Sequence, residues 1–315
     1  MSRQTWHKHD VIFEPAARPG WARSHAQVPT PDWTTDGKLR IYFGSRDKQN
    51  RTSTLLLEVN PQQPKEITRL LETPVLSLGD LGCFDDAGVM PSCVVTVGGR
   101  KHLYYTGWNT STTVPYRNSI GLAVSDDGGL TYQRLCDGPV LDRSAREPHF
   151  CACPFVLREA GCWRMWYLSC TQWQLVNGKP EARYLIRYTE SSDGIEWQRP
   201  GMIAIDYVRP DEAIARPWVV KTSRGYQMWY STRSIANYRE DSRQSYRLGY
   251  AESNEGIAWQ RKDDIVDLPL GRTGWDSEMI AYPATFDADG RRYLLYNGNG
   301  FGATGFGLAE LRGAA

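Results

Sequence analysis

The sequence has no long apolar run and no excess of charge of either sign. No stretch approaches the roughly 18 apolar residues that a membrane span needs, and the first ten residues lack the apolar core of a secretory signal. The chain has 37 basic and 36 acidic residues, a net charge of +1. This balance argues against a nucleic-acid partner and against an anionic membrane surface. The seven cysteines are an odd number, which together with the missing signal predicts a cytoplasmic protein.

Common cofactor and metal motifs are also missing. The sequence contains no Walker loop, no dinucleotide-binding glycine fingerprint, no Gly-x-Ser-x-Gly elbow and no His-Glu-x-x-His pair. Cys151 and Cys153 are separated by one residue, unlike the pairs of structural zinc sites, and no second pair follows. We therefore predict no metal site and no cofactor. A cation on the axis of the fold, or phosphate as a cosubstrate, stays open.

What the sequence does have is an internal repeat of about 63 residues. Three segments contain a polar turn with glycine followed by an aromatic residue, Gln and Arg: SDDGGLTYQR at 125–134, SSDGIEWQR at 191–199 and SNEGIAWQR at 253–261. Two strand-like segments precede each turn, and an apolar stretch through a proline precedes those. With two partial copies, the marker prolines of the repeat are Pro29, Pro91, Pro154, Pro217 and Pro283.

Four strands in each of five repeats predict an all-β fold, a five-bladed β-propeller with four-stranded antiparallel blades. A solenoid is the alternative, but it would need capping repeats that the sequence does not show. The last copy stops after its third strand, at Leu311, and the segment from Thr5 to Lys8 resembles the missing fourth strand. We predict that residues 3–13 pair with the last blade and close the ring, because closure removes exposed strand edges. The whole chain, 1–315, then forms a single domain.

Residues just before the marker prolines and those that end the second strands are predicted to share one rim, where a ligand pocket is expected. Five positions before the prolines lie Ser24, Asp86, His149, Glu212 and Glu278. Carboxylates crowded around one axis cost stability, so their alignment favours a function, although a single acid at a strand start is as often a solvated loop residue. The repeated Trp-Tyr and Gln-Arg positions are expected to be blade packing.

The segments FDDAGVMP at 84–91, YYTG at 104–107, IGLAVS at 120–125 and SDGIEW at 192–197 resemble the five-bladed propeller superfamily of arabinanases, invertases, levansucrases and β-mannoside phosphorylases. The resemblance covers essentially the whole chain. It implies glycoside chemistry at the propeller mouth, with one carboxylate as general acid and another as nucleophile or base. The arabinanase and invertase types carry Asp directly before the first-strand proline in blades one and three, where this chain has Val28 and Cys153. Standard roles therefore do not transfer directly.

From these observations we expect a glycosidase-like hydrolase, with Glu212 as general acid and Asp86 or Glu278 as base or nucleophile. Arginine suits carboxylate or phosphate groups, which indicates an anionic sugar or sugar conjugate. The predicted substrate-binding residues are Arg46, Asp47, Trp108, His149, Arg216, Arg233 and Tyr282. Two alternatives stay open. One is a glycoside phosphorylase or a sugar-nucleotide-processing enzyme of glycan or natural-product biosynthesis, and the other is a non-catalytic carbohydrate-binding propeller.

Overall fold

The computed structural model describes residues 3–15 and 23–312. These residues form strands almost throughout, with one short helical turn, α1 (Asn299–Gly302), and a 3-10 turn at Asp263–Ile265. None of the helices within these ranges is long and apolar enough to span a membrane.

The strands follow one another through the chain with short connections. In chain order they are β1 (Gln4–Phe13), β2 (Ser24–Trp33), β3 (Leu39–Arg46), β4 (Thr52–Asn60), β5 (Gln63–Leu70), β6 (Gly88–Val97), β7 (Arg100–Thr110), β8 (Tyr116–Ser125), β9 (Gln133–Arg134), β10 (Cys151–Glu159), β11 (Cys162–Val176), β12 (Lys179–Ser191), β13 (Met202–Ile205), β14 (Glu212–Thr222), β15 (Gly225–Ser234), β16 (Arg247–Ser253), β17 (Gln260–Arg261), β18 (Val266–Asp267), β19 (Ala281–Ala288), β20 (Arg291–Asn297) and β21 (Phe306–Arg312).

Consecutive strands pair antiparallel into units that match the predicted repeat. We number these units 1 (β2–β5), 2 (β6–β9), 3 (β10–β13), 4 (β14–β17) and 5 (β19–β21 with β1). Units 1 and 2 belong to one eight-stranded sheet, but a single parallel residue pair, Thr52 with Gly88, joins them. The first strands of the units contact one another in a circle, since β2 contacts β6 and β19, β10 contacts β6 and β14, and β14 contacts β19.

The repeated turn between the third and fourth strands is built around a serine. In unit 3 the Ser191 hydroxyl accepts a hydrogen bond from the Gly194 N–H at 2.9 Å, and Ser253 does the same for Gly256 at 2.8 Å in unit 4. Gly194 has a φ of 81°, and a Cβ there would lie 2.6 Å from the Tyr104 hydroxyl of unit 2. The turn thus requires glycine both for its backbone conformation and for its close contact with the neighbouring unit.

Aromatic side chains fill the space between neighbouring units. Trp166, on the second strand of unit 3, is fully buried, and its ring centroid lies 6.4 Å from that of Tyr226 in unit 4. Phe155 of unit 3 meets Trp218 of unit 4 at 4.8 Å. The repeated aromatic positions of the sequence therefore form the core, as predicted.

The N-terminal strand β1 pairs antiparallel with β21, the last strand of the chain, with Trp6 opposite Leu311. Trp6 is buried and its ring packs 6.2 Å from that of Trp229 in unit 4. The predicted pairing of residues 3–13 with the last repeat is therefore present. In unit 3 the fourth strand differs from the expectation, because it is Met202–Ile205, a few residues after the predicted Trp-Gln-Arg segment.

Candidate functional site

The residue before the marker proline has a strained backbone in four of the units. A positive φ outside glycine costs on the order of 1–3 kcal/mol and persists only where the surroundings enforce it. The strained residues are Val28 (55°), Cys153 (48°), Arg216 (55°) and Tyr282 (55°). Three of their N–H groups donate to side chains of the preceding unit: Val28 to Asn297 Oδ1 at 2.7 Å, Cys153 to Thr106 Oγ1 at 2.8 Å and Tyr282 to Ser231 Oγ at 2.8 Å. These hydrogen bonds join neighbouring units next to the marker prolines.

Arg216, the residue before the marker proline of unit 4, extends its side chain between units 1 and 2. Its guanidinium is fully buried and reaches units 1 and 2, where Nη1 donates to the Ser92 carbonyl at 2.5 Å and Nη2 to Thr30 Oγ1 at 3.1 Å. Burial lowers its pKa to about 10. Among the described residues no carboxylate pairs with it, and its Nε has no hydrogen-bond partner. The Arg216 guanidinium is therefore a buried cation, next to the marker prolines, whose hydrogen-bond partners are neutral groups.

Four buried carboxylates near the strand starts are held in ion pairs, which we call clamps. In each clamp the cation comes from the fourth strand of the same unit or from the segment that follows the third strand. The clamps are Asp85 with Arg134 (2.8 Å), Glu147 with Arg199 (2.8 Å), Glu212 with Arg261 (2.8 Å) and Asp276 with Lys8 (2.5 Å). The arginines of the repeated Gln-Arg positions are thus structural. Of the aligned acids Asp86, Glu212 and Glu278, it is Glu212 whose charge a clamp neutralises.

Glu212 is the most heavily bonded of the clamped acids. It is fully buried, and its two carboxylate oxygens accept from Arg261 at 2.8 and 3.0 Å, from Thr232 Oγ1 at 2.6 Å and from the Val208 N–H at 2.8 Å. Although burial alone would raise the pKa of this carboxyl, these bonds bring it down to about 2. Because both of its oxygens already accept from Arg261, Thr232 and Val208, this carboxylate is not free to carry a proton to a substrate, which argues against the general-acid role expected from the sequence.

The Glu212 clamp predicts a loss of stability in acid. Because the folded pKa of about 2 lies below the ordinary 4.5, the clamp stabilises the fold above about pH 4.5 and loses that contribution as the pH falls towards 2. We expect the difference in unfolding free energy between wild type and Glu212→Gln to shrink by at most about 3 kcal/mol over this range. Urea denaturation at pH 7, 4 and 3 measures it. A difference that does not change with pH would contradict the expectation.

Two of the predicted catalytic carboxylates lie outside the clamps. Asp86 is half-buried, and its Oδ2 accepts from the Gly82 N–H at 3.0 Å. Glu278 is exposed, and its own N–H donates to Asn299 Oδ1 at 2.8 Å. Neither carboxylate forms an ion pair within the described ranges 3–15 and 23–312. Asp86 and Glu278 are therefore the two predicted acids that remain accessible for chemistry.

Arg233 lies in a cage of tyrosine rings. Its side chain is buried, its Nε donates to the Tyr184 hydroxyl at 3.0 Å, and its other nitrogens donate to backbone carbonyls. The guanidinium carbon is 3.6 Å from the ring centroid of Tyr238, 5.0 Å from Tyr184 and 5.5 Å from Tyr246. Cation–π contacts of this kind stabilise a desolvated guanidinium, and they leave its charge without an anionic partner.

The aromatic surface continues around the rim on both sides of this cage. We call it, together with its two arginines, the rim cluster, and its members are Arg46, Tyr116, Trp173, Tyr184, Arg233, Tyr238, Tyr246, Tyr282 and Phe301. Tyr116 packs 5.3 Å from Trp173, and Tyr246 packs 5.5 Å from Tyr282. The sequence predicted Arg46, Arg233 and Tyr282 as binding residues. It did not predict the tyrosines Tyr184, within β12, and Tyr246, directly before β16, although they recur at matching positions of the repeat.

The remaining predicted binding residues have different surroundings. Arg46 is half-buried and donates to Gln27 Oε1 at 3.1 Å and to Asn50 Oδ1 at 3.0 Å. Asp47 accepts from the N–H groups of Gln49 and Arg51 and pairs with the Arg51 side chain, so it stabilises its own surface turn. This arrangement disfavours a contact between Asp47 and substrate.

Trp108 and His149 complete the predicted set. Both are half-buried. The Trp108 indole fills the space beside Gly88, where a Cβ would lie 1.7 Å from Nε1. This contact fixes the indole against the strand start of unit 2, and the binding roles of Trp108 and His149 stay predictions.

Comparison with known proteins places the chain in a family. No family model matches it. The uncharacterized protein Rv1502 of Mycobacterium tuberculosis (strain ATCC 25618 / H37Rv) is 38% identical over 309 residues, covering 97% of this chain and 99% of the relative. A structure described as a glycoside hydrolase has a TM-score of 0.76 at 18% identity, with 99% of this chain and 94% of that one covered. A mannoside phosphorylase-family (GH130) structure, from work on hydrolases that target β-1,2 mannosidic linkages in Candida mannan, has a TM-score of 0.70 at 14% identity and covers 98% and 94%.

The all-β architecture, the repeated antiparallel units and these structural neighbours agree with the resemblance found in the sequence. The chain belongs to the same family as Rv1502, and its fold is that of the β-propeller glycoside hydrolases.

Proposed function

We propose that this chain is a glycosidase-like hydrolase that acts on an anionic sugar or sugar conjugate at the rim cluster. One observation carries the proposal: Arg46, Arg216 and Arg233 lie buried or half-buried with neutral partners alone among the described residues. The clamp arginines Arg134, Arg199 and Arg261 differ from these three, because each pairs with a buried acid. A desolvated guanidinium without a counter-charge is costly, and an anionic group on a ligand would supply that charge.

The architecture proposed with this function is one domain of five blades closed into a ring. Units 1 and 2 count as separate blades because the single pair Thr52–Gly88 joins them. The pairing of β1 with β21 supplies the fourth strand of unit 5, and Lys8 takes the place that arginines hold in the other clamps. The circle of contacts between first strands supports a central pocket whose floor is Arg216.

The proposed chemistry uses a carboxylate outside the clamps. Asp86 or Glu278 would protonate the leaving oxygen of the glycosidic bond, since both lie near strand starts without an ion-pair partner in the described part of the chain. The half-buried rings of Tyr116, Trp173 and Tyr282 offer flat apolar faces that suit the carbon face of a sugar ring. Arg233 and Arg46 would hold the anionic substituent.

The test compares matched pairs of glycosides that differ in one carboxylate, such as aryl glucuronide and glucoside, in phosphate-free buffer. We expect faster turnover of the uronate. Arg46→Met and Arg233→Met should each lower kcat/KM for the uronate by about 10- to 100-fold, because a hydrogen bond to a charged group contributes about 1.5–3 kcal/mol. Turnover of a neutral glycoside should change little.

Arg224→Met, in the exposed turn between β14 and β15, is the matched control and should change neither rate. Thermal unfolding of each variant separates a loss of binding from a loss of fold. If the variant of the buried Arg233 unfolds, the variant of the half-buried Arg46 still tests the proposal. Equal losses on both glycosides would contradict recognition of an anion. Turnover that requires added phosphate would instead indicate phosphorolysis.

A further inference from the structure

Unit 1 is the one unit of the ring whose strand start, within the described residues, presents no carboxylate. In the other units the acids lie five to seven positions before the marker proline. In unit 1 the fifth position is Ser24, and His25 follows it one residue closer to Pro29. His25 has a φ of 60°, in the left-handed region that non-glycine residues rarely adopt, and its side chain is half-buried at the rim. Backbone strain at an ionisable residue is a reason to look for a function there.

The contacts of His25 connect it to the rim cluster. Its Nδ1 lies 2.9 Å from the Ser24 hydroxyl, and Nε2 forms no hydrogen bond with the residues described, 3–15 and 23–312. Arg46, on β3, is the charged group that faces it, and Arg46 also interacts electrostatically with Tyr282. Gln27 accepts from Arg46 and donates to the Phe301 carbonyl at 3.0 Å. His25 therefore stands at the unit 1 end of the proposed pocket.

We propose that His25 is the general base of the reaction and takes the proton of the attacking water, an inference that rests on the proposed hydrolase function. Ser24 orients the imidazole through Nδ1, and Nε2, which has no hydrogen bond to the described residues, is the acceptor. In this role His25 supplies a base next to a strand start where the described part of unit 1 has no carboxylate.

The protonation state fits this role. Burial, and after it the charge of Arg46, lower the pKa of His25 to about 4, so the imidazole is neutral and able to accept a proton at physiological pH. A base of this strength is comparable to an ordinary carboxylate, whose pKa is about 4.

The step balances in atoms and charge. The water oxygen forms a bond to the anomeric carbon while the bond from that carbon to the leaving oxygen breaks. Nε2 of His25 takes one water proton, and the protonated carboxyl of Asp86 or Glu278 gives its proton to the leaving oxygen. Solvent then removes the proton from the imidazolium and returns one to the carboxylate.

The first test is His25→Asn, since asparagine tolerates the left-handed conformation and removes only the imidazole. On a uronate substrate that the wild type turns over, we expect kcat to fall by about a hundredfold, the lower end of what general base catalysis contributes, with little change in KM. A second variant, His25→Gly, leaves space for a free imidazole molecule. Added imidazole should partly restore its activity. His102→Gln, at the far end of the second strand of unit 2, is the matched control and should keep full activity.

The second test uses Arg46→Gln, which removes the charge beside His25. The acid limb of the pH–rate profile should lie near pH 4 in the wild type and move towards 6.5 in the variant, together with the NMR titration of the His25 ring proton. A purely structural His25 would not move the acid limb. Full activity of His25→Asn, or an acid limb that stays in place while the NMR pKa moves, overturns the role of His25 and leaves the hydrolase intact. A wild type that turns over no glycoside overturns both.

Discussion

Replacing Glu212 by Gln is expected to lower the free energy of unfolding at pH 7 by about 3 kcal/mol, as for other broken buried ion pairs. The carboxylate is fully buried and receives two hydrogen bonds from Arg261. An amide provides one acceptor oxygen and turns an NH₂ group towards the guanidinium donors. Arg261 keeps its bond to Asp263 at 2.6 Å, which limits the loss.

Urea denaturation at pH 7 measures this change, and Glu196→Gln, an exposed residue in the turn of unit 3, is the control with little expected effect. Below the unfolding temperature of the variant, kcat should stay within about twofold of wild type, because a structural ion pair does not touch the reacting atoms. A kcat reduced more than about a hundredfold with unchanged stability would instead restore the catalytic role that the sequence predicts for Glu212.

The structural role of Glu212 could not be predicted from the sequence, whereas much of the fold could. The repeat, the strand order and the pairing of β1 with β21 could be predicted because turns, alternation and marker prolines recur at a fixed period. The ion pair between Glu212 and Arg261 joins residues 49 positions apart, and it depends on how strand starts and fourth strands lie side by side. Periodicity aligns the acids with one another but does not show which cation each one meets.

The strand pattern predicted only part of the rim cluster, because the remaining contacts depend on packing between units. Arg46 and Arg233 end second strands, so the predicted strand direction placed them at the rim. Tyr184 lies within β12 and Tyr246 directly precedes β16, and the contact of Tyr184 with Arg233 depends on the packing of unit 3 against unit 4. The contact of Phe301 with Tyr246, at 6.2 Å, further requires the positive φ of Phe301 in the short turn α1, which no strand pattern predicts.

The largest effect on activity is expected from one of two variants, Asp86→Asn and Glu278→Gln. Neutralising the residue that protonates the leaving oxygen should lower kcat by about a thousandfold, which lies within the range of general acid catalysis. The other should have a much smaller effect, since one carboxylate suffices for that proton if His25 serves as base. Steady-state rates on a uronate substrate measure both, with Asp80→Asn, in the same loop as Asp86, as control.

A series of leaving groups identifies the acid among the two. A leaving group that is stable as an anion needs no proton, so the variant that lacks the general acid should regain activity as the leaving-group pKa falls, while wild type changes little. A variant damaged only in substrate binding would lose the same factor on every substrate. If Asp86→Asn and Glu278→Gln both keep full activity on poor leaving groups, neither supplies the proton. The arginine-rich rim would then fit a carbohydrate-binding propeller, because its anion-binding groups remain while the acid is missing.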